Sequence, residues 1–105
     1  MSLNRHAKRR DANENKIIAT FVGAGFEVHR LDLPVDLLVM RGGINYLVEV
    51  KSDAKAKLTK GQQTFFETCR GQVTCVASVA DAEALIAMID QGDLVPILDF
   101  RGQIS

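Results

Sequence analysis

The spacing of hydrophobic side chains predicts a helix at the start of the chain and three strands after it. Between residues 4 and 24, apolar side chains recur on one helical face: Ile17, Ile18, Phe21 and Val22. Two glycines then supply a stop, Gly23 and Gly25. Strands are predicted over 26–31, 36–41 and 44–51, with Leu33 and Pro34 separating the first two.

The pair Gly42-Gly43 predicts a tight hairpin between the second and third strands. A symmetric turn at these glycines makes the numbers of paired residues sum to 85. Asp36 then lies opposite Glu49, and Leu38 lies opposite Leu47. Apolar residues on both faces of this hairpin predict that the two strands are central and covered on both sides.

Helical and extended segments also alternate in the rest of the chain. Thr59 and Gln62 have the spacing of a capping box, which predicts a helix that begins at Thr59 and ends before Gly71. A strand over 73–78 and a helix over 81–91 follow, and 94–100 is a candidate last strand. The order αβββαβα predicts an α/β fold with a central mixed β-sheet flanked by helices.

Composition places the chain among ordinary globular proteins. With 105 residues, 47% of them hydrophobic, we expect a single domain over 1–105. No apolar run is long enough to span a bilayer, and the first residues lack the apolar core of a signal peptide, so we expect a cytoplasmic protein. Cys69 and Cys75 are expected to be core thiols, because they lack the spacing of a zinc site or disulfide framework.

Charge is unevenly distributed although the net charge is zero. Residues 1–60 contain eleven of the 13 Lys and Arg residues but only seven of the 13 acidic ones. The first part of the chain is therefore basic, and it also contains most of the candidate site residues.

Asp36 and Glu49 form the first candidate site. Opposed carboxylates destabilise a sheet unless a positive charge compensates for them. Lys51 lies two residues beyond Glu49 on the same face, so a plain salt bridge is one interpretation. The other is a Mg²⁺ site made of the two carboxylates and the Val50 carbonyl, which are the hard oxygen ligands that this ion prefers.

Glu14 lies near the centre of the apolar face of the first helix. A solvated glutamate is not expected at such a position, so we expect the side chain to point at the sheet. The alternative is a glutamate that reaches back to water.

These residues resemble the PD-(D/E)xK nuclease superfamily in their order along the chain. The resemblance rests on Glu14 in a first helix, Asp36 at a hairpin strand, Glu49-Val50-Lys51 on the return strand and Gln62 at the head of the next helix. Small VRR-type nucleases and phage-like Holliday-junction resolvases are similar over nearly the whole chain. The resemblance implies a restriction-endonuclease-like three-layer sandwich.

Two positions depart from the family pattern, and a third leaves two candidate glutamines. Val35 separates Pro34 from Asp36, where the namesake motif has Pro directly before Asp. Position 60, at the start of the helix, is Lys, whereas the pattern of many relatives there is similar to Ser/Thr-Pro. Gln62 matches the family glutamine, but the neighbouring Gln63 could serve in its place.

The function implied by this resemblance is that of a Mg²⁺-dependent endonuclease, with Mn²⁺ as an alternative ion, that hydrolyses DNA phosphodiesters in branched or junction DNA. Asp36, Glu49 and the Val50 carbonyl would hold the metal. Lys51 would orient the attacking water or stabilise the developing charge, Gln62 would position Lys51 or the phosphate, and Glu14 could hold a second ion or its water shell. A homodimer is expected, with the third helix and 94–100 as its contact surface. The alternative is a catalytically silent nuclease-fold protein that binds nucleic acid or a partner.

Contacts to nucleic acid are expected from basic side chains on the first helix and around the start of the second helix. They are Lys8, Arg9, Arg10, Lys16, Lys55, Lys57 and Lys60. The alternative for this set is solvated charge that aids solubility. No aromatic residues are interleaved among them, so stacking on single strands is not indicated.

Overall fold

A computed structural model of the chain describes residues 2–93 and 97–99, with side chains described from residue 12 to residue 93. The elements in chain order are α1 (Ser2–Gly23), β1 (Glu27–Arg30), β2 (Leu37–Arg41), β3 (Ile44–Val50), α2 (Lys60–Thr68), β4 (Val73–Val76), α3 (Val79–Asp90) and β5 (Ile97–Asp99). The predicted order αβββαβα is confirmed, and β5 falls within the candidate strand over 94–100. Residues 94–96 and 100 lie outside the described part.

The five strands form one mixed sheet in the spatial order β1-β2-β3-β4-β5. The first three strands are antiparallel, and β4 and β5 continue the sheet in parallel from β3. β3 is therefore the central strand, and the start of β2 lies at the same edge of the sheet as the ends of β3 and β4. The candidate site lies at that end.

The hairpin between β2 and β3 has the predicted register. Gly42 and Gly43 have φ angles of +61° and +81°, the left-handed conformation that a two-residue hairpin turn requires. Leu38 pairs with Leu47, and the other pairs keep the same sum of residue numbers. A slip of one residue would move every side chain of the strand to the opposite face, so this register decides which side chains share the site.

β2 begins at Leu37, one residue later than predicted. The carbonyl of Asp36 accepts a hydrogen bond from the Leu31 N–H at 2.7 Å, and its side chain accepts one from the Val50 N–H at 2.8 Å. The Asp36 side chain thus accepts the hydrogen bond from β3 that a backbone carbonyl would accept if the strand pairing continued.

Each face of the sheet is covered by its own hydrophobic cluster. The larger cluster joins α1 and α3 to one face, with Ile17, Phe21, Tyr46, Val48 and Leu85 among its buried members. The smaller cluster joins α2 to the other face and includes Val35, Phe66, Val73 and Cys75. The result is three layers, as predicted. Cys75 is buried in the smaller cluster, as expected of a core thiol, whereas Cys69 is only partly buried against it.

The ends of the helices follow from their caps. Thr59 and Gln62 form the predicted capping box, and α2 begins at Lys60. α3 begins at Val79, two residues earlier than predicted, because the Ser78 hydroxyl accepts a hydrogen bond from the Asp81 N–H at 3.1 Å. Within residues 2–93, no helix is long and apolar enough to cross a membrane.

Thr74 on β4 is fully buried, and its hydroxyl has no hydrogen-bond partner in the described structure. Valine has nearly the same shape without the polar atom. We therefore expect Thr74→Val to raise the free energy of unfolding by about 1 kcal/mol, since an unsatisfied buried hydroxyl costs roughly 1–3 kcal/mol. Urea unfolding measures this change. The matched control, Thr64→Val on the exposed side of α2, should change stability by less than about 0.5 kcal/mol; a less stable Thr74→Val protein would contradict the prediction.

Candidate active site

A cavity of about 620 Å³ opens where β3 ends and α2 begins. Its lining contains five of the residues that the sequence predicted for the site: Asp36, Glu49, Val50, Lys51 and Gln62. Three different elements supply them: the segment before β2, the end of β3, and the first turn of α2. The fold therefore brings these predicted residues together.

Asp36 and Glu49 are both buried, with 6% and 4% of their surface exposed. They directly flank Leu37 and Val48, the pair of the hairpin nearest the cavity, so both lie at the same end of the hairpin. Asp36 is held in place because its Oδ2 atom accepts the Val50 N–H. Two acidic side chains with so little exposure would be costly without nearby positive charge or hydrogen-bond donors.

Lys51 supplies that positive charge. Its Nζ atom lies 3.4 Å from Oε2 of Glu49, and the side chains are 14% and 5% exposed respectively. The salt bridge considered as one interpretation of the sequence is therefore present. The salt bridge is also compatible with the other interpretation, a Mg²⁺ site, because the Glu49–Lys51 pair lines an open cavity and is not packed in the core.

Gln62 joins the two charged groups. Its Oε1 atom accepts hydrogen bonds from Lys51 Nζ at 2.7 Å and from the Thr59 N–H at 2.9 Å. Its Nε2 atom donates to Oε2 of Glu49 at 2.7 Å. An ammonium group can only donate and a carboxylate can only accept, so this amide orientation is the one that satisfies both neighbours. The cap of α2 and the candidate site thus share one side chain.

Gln63, the alternative to Gln62, is exposed and its Nε2 atom donates to the Leu58 carbonyl at 3.4 Å. The geometry therefore places Gln62, and not Gln63, between the lysine and the glutamate.

Glu14 is 4% exposed, as its position on the apolar face of α1 predicts. Its Oε2 atom lies 3.7 Å from Nε of Arg30 on β1. In the described part of the chain, the cavity lining includes the preceding residue, Asn13, but not Glu14. The structure thus buries Glu14 without bringing it to the cavity, and a role at a second ion stays a prediction.

The predicted nucleic-acid contacts are only partly placed. Four of them are exposed side chains, namely Lys16, Lys55, Lys57 and Lys60. Lys60 is the first residue of α2, next to Thr59 and Gly61, which line the cavity. Lys8, Arg9 and Arg10 lie on α1, and their side chains are outside the described part.

Sequence reasoning missed some residues that line the cavity. Asn13 hydrogen-bonds two backbone carbonyls there, and the apolar side chains of Leu33 and Phe65 form part of the wall. Phe65 follows Gln62 by three residues on α2, so helical spacing was a signal for it. The position of Asn13 depends on how α1 packs against the sheet, which no local pattern shows.

The oxygen atoms around the cavity suit a hard cation. Among the described residues, no group of three or more His, Cys, Asp or Glu side chains could hold a metal. The candidate ligands are instead two carboxylates, Asp36 and Glu49, with the Val50 carbonyl. Mg²⁺ is bound by proteins through one or two carboxylates while it keeps several waters, so this small set fits that ion.

No protein-family model and no curated protein matches the chain in sequence. A solved structure described as a VRR_NUC domain is similar to it, with a TM-score of 0.64 and 25% sequence identity. The alignment covers 75% of this chain and 95% of that chain. The likeness therefore extends over almost all of that domain and confirms the expected restriction-endonuclease-like fold. In its motif residues and in its fold, the chain is similar to VRR-type nucleases of the PD-(D/E)xK superfamily.

Proposed function

We propose that this chain is a metal-dependent endonuclease that hydrolyses phosphodiester bonds of DNA. One observation carries the proposal: Asp36, Glu49 and Lys51 line one open cavity, and Gln62 hydrogen-bonds both members of the Glu49–Lys51 pair. The similarity to a VRR_NUC domain supports a nuclease activity. Metal dependence and the preferred DNA are proposed from the chemistry of the residues.

Asp36, Glu49 and the Val50 carbonyl would hold Mg²⁺, or Mn²⁺ as the alternative ion. When bound, the ion would supply positive charge to the non-bridging phosphate oxygens and make a water molecule more acidic. The protein's own part is to hold both carboxylates in place. Asp36 is fixed by the Val50 N–H, and Glu49 is fixed by Gln62.

Lys51 is the proposed catalytic cation. Its ammonium group is nearly buried and held at two points, so it is already oriented before a substrate arrives. A positive charge fixed in this way stabilises the negative charge that develops on the phosphate, and it costs no reorganisation during the reaction. It would also orient the attacking water by hydrogen bonding.

Branched or junction DNA is the proposed substrate, in line with the resemblance to junction resolvases. Cleavage of two strands needs two copies of a small site, so a twofold homodimer is part of the proposal. Helix α3 and 94–100 are the proposed contact surface. The exposed lysines beside the cavity would bind backbone phosphates.

Lys51→Ala should reduce Mg²⁺-dependent cleavage by about 10²- to 10³-fold, because it removes the fixed charge proposed to stabilise the transition state. Cleavage of labelled linear, flapped and four-way DNA measures the rate, and circular dichroism with thermal melting checks that the variant folds.

The control is Arg70→Ala, which removes an exposed cation beyond the far end of α2 and should leave the rate within about twofold. A folded Lys51→Ala protein with the wild-type rate would refute the role of Lys51. A wild-type protein that binds DNA without cutting it would favour the catalytically silent alternative.

Charge removal at Lys55, Lys57 and Lys60 should weaken DNA binding more at low salt than at high salt. Each phosphate contact contributes about 0.9 to the slope of log binding constant against log salt concentration. The slope is negative, and the triple alanine variant should therefore make it shallower by about 2 to 3. Fluorescence anisotropy over a salt series measures it. Arg70→Ala should keep the wild-type slope, and an unchanged slope in the triple variant would show that these lysines are only solvated charges.

A further inference from the structure

Asn13 on α1 donates hydrogen bonds to two strand ends. Its Nδ2 atom lies 2.8 Å from the Lys51 carbonyl oxygen and 3.2 Å from the Ala77 carbonyl oxygen. Both partners are acceptors, so the nitrogen of the amide must face them, and its two N–H groups suffice for both bonds. These contacts join residues 38 and 64 positions apart in the chain.

The two carbonyls lie just past the paired parts of their strands. β3 ends at Val50 and β4 ends at Val76, and the Lys51 N–H donates to the Val76 carbonyl at 2.9 Å. A partly buried backbone carbonyl needs a donor, and the strand ladder does not continue to provide one. The amide of Asn13 takes that place for both strands.

Lys51 is consequently held at three points. Its N–H is bound by β4, its carbonyl is bound by Asn13, and its Nζ atom is bound by Gln62 and Glu49. The first two bonds fix the backbone from which the side chain starts. The contacts of Nζ with Gln62 and Glu49 fix the position of the ammonium group.

We propose that Asn13 is a positioning residue for Lys51, and this inference rests on the proposed nuclease function. Asn13 acts through the Lys51 backbone, and it fixes where the ammonium group lies relative to Glu49. A displacement of about 1 Å at a reacting group can cost about 10²-fold in rate, so loss of this bond has a kinetic effect beyond its effect on stability.

Asn13→Ala removes both donors. We expect it to lower kcat for DNA cleavage by about 10- to 100-fold, with KM within about threefold of the wild type, because the exposed lysines that would bind phosphate are unaltered. Asn13→Ser keeps one donor, so its kcat should lie between that of the wild type and that of Asn13→Ala. It also tests the positioning role if Asn13→Ala does not fold.

The matched control is Thr20→Ala. Thr20 lies on the same helix, and its hydroxyl donates to the Lys16 carbonyl at 2.9 Å, so the substitution removes a side-chain bond that stays within α1. It should leave kcat and KM unchanged. Equal losses of kcat in the Asn13 and Thr20 variants would mean that α1 affects the rate only through the stability of the fold. That result would overturn the positioning role.

A second readout does not depend on activity. Acetylation of each lysine by an N-hydroxysuccinimide ester, followed by mass spectrometry, compares Lys51 with the exposed Lys55 in the same protein. Lys51 should react slowly in the wild type and in Thr20→Ala, and severalfold faster in the Asn13 variants. Wild-type protein that does not cleave DNA would defeat the proposed function alone, whereas an unchanged Lys51 acetylation rate in folded Asn13 variants would defeat this inference.

Discussion

Asp36 and Glu49 are two buried acidic residues at one end of the β2–β3 hairpin, where they flank the Leu37–Val48 pair and line the same cavity. Such an arrangement is unfavourable unless donors and positive charge surround it. The Val50 N–H binds one carboxylate, while Lys51 and Gln62 bind the other. A bound cation would reduce the remaining repulsion between the two acids, and this electrostatic gain is the physical basis of the proposed metal site.

The side chains around this pair have structural and proposed chemical roles at once. Gln62 completes the capping box of α2 and also links Lys51 to Glu49. Asn13 closes the ends of β3 and β4 and also fixes the Lys51 backbone. The position of the ammonium group is therefore coupled to one helix on each side of the sheet. Such a network orients the ammonium group in the absence of substrate, and electrostatic catalysis depends on this kind of preorganisation.

Much of the site could be predicted because its main contacts are close in sequence. The Gly42-Gly43 turn sets the hairpin register, and the observed Leu37–Val48 pair brings the neighbouring Asp36 and Glu49 to the same end of the hairpin. The link from Thr59 to Gln62 is a local capping pattern, so the start of α2 was also correct. These features depend on short spacings that do not change when the rest of the fold is unknown.

The features that could not be predicted depend on packing between distant segments. The burial of Glu14 followed from its helical face, but its contact with Arg30 requires knowing that β1 lies beside α1. The bonds from Asn13 to Lys51 and Ala77 likewise require the placement of α1 over the ends of two strands. The early start of α3 was a local signal that went unused, since Ser78 and Asp81 have the spacing of an N-cap.

Calorimetric titration of the wild-type protein with Mg²⁺, in parallel with an Asp36→Asn variant, tests most directly whether the two acids form one cation site. Asparagine keeps the size of the side chain and an oxygen for the Val50 N–H but removes the charge. We expect saturable Mg²⁺ binding to the wild-type protein and loss of that binding in the variant. Equal Mg²⁺ binding by both proteins, or no binding by a folded wild-type protein, would contradict it.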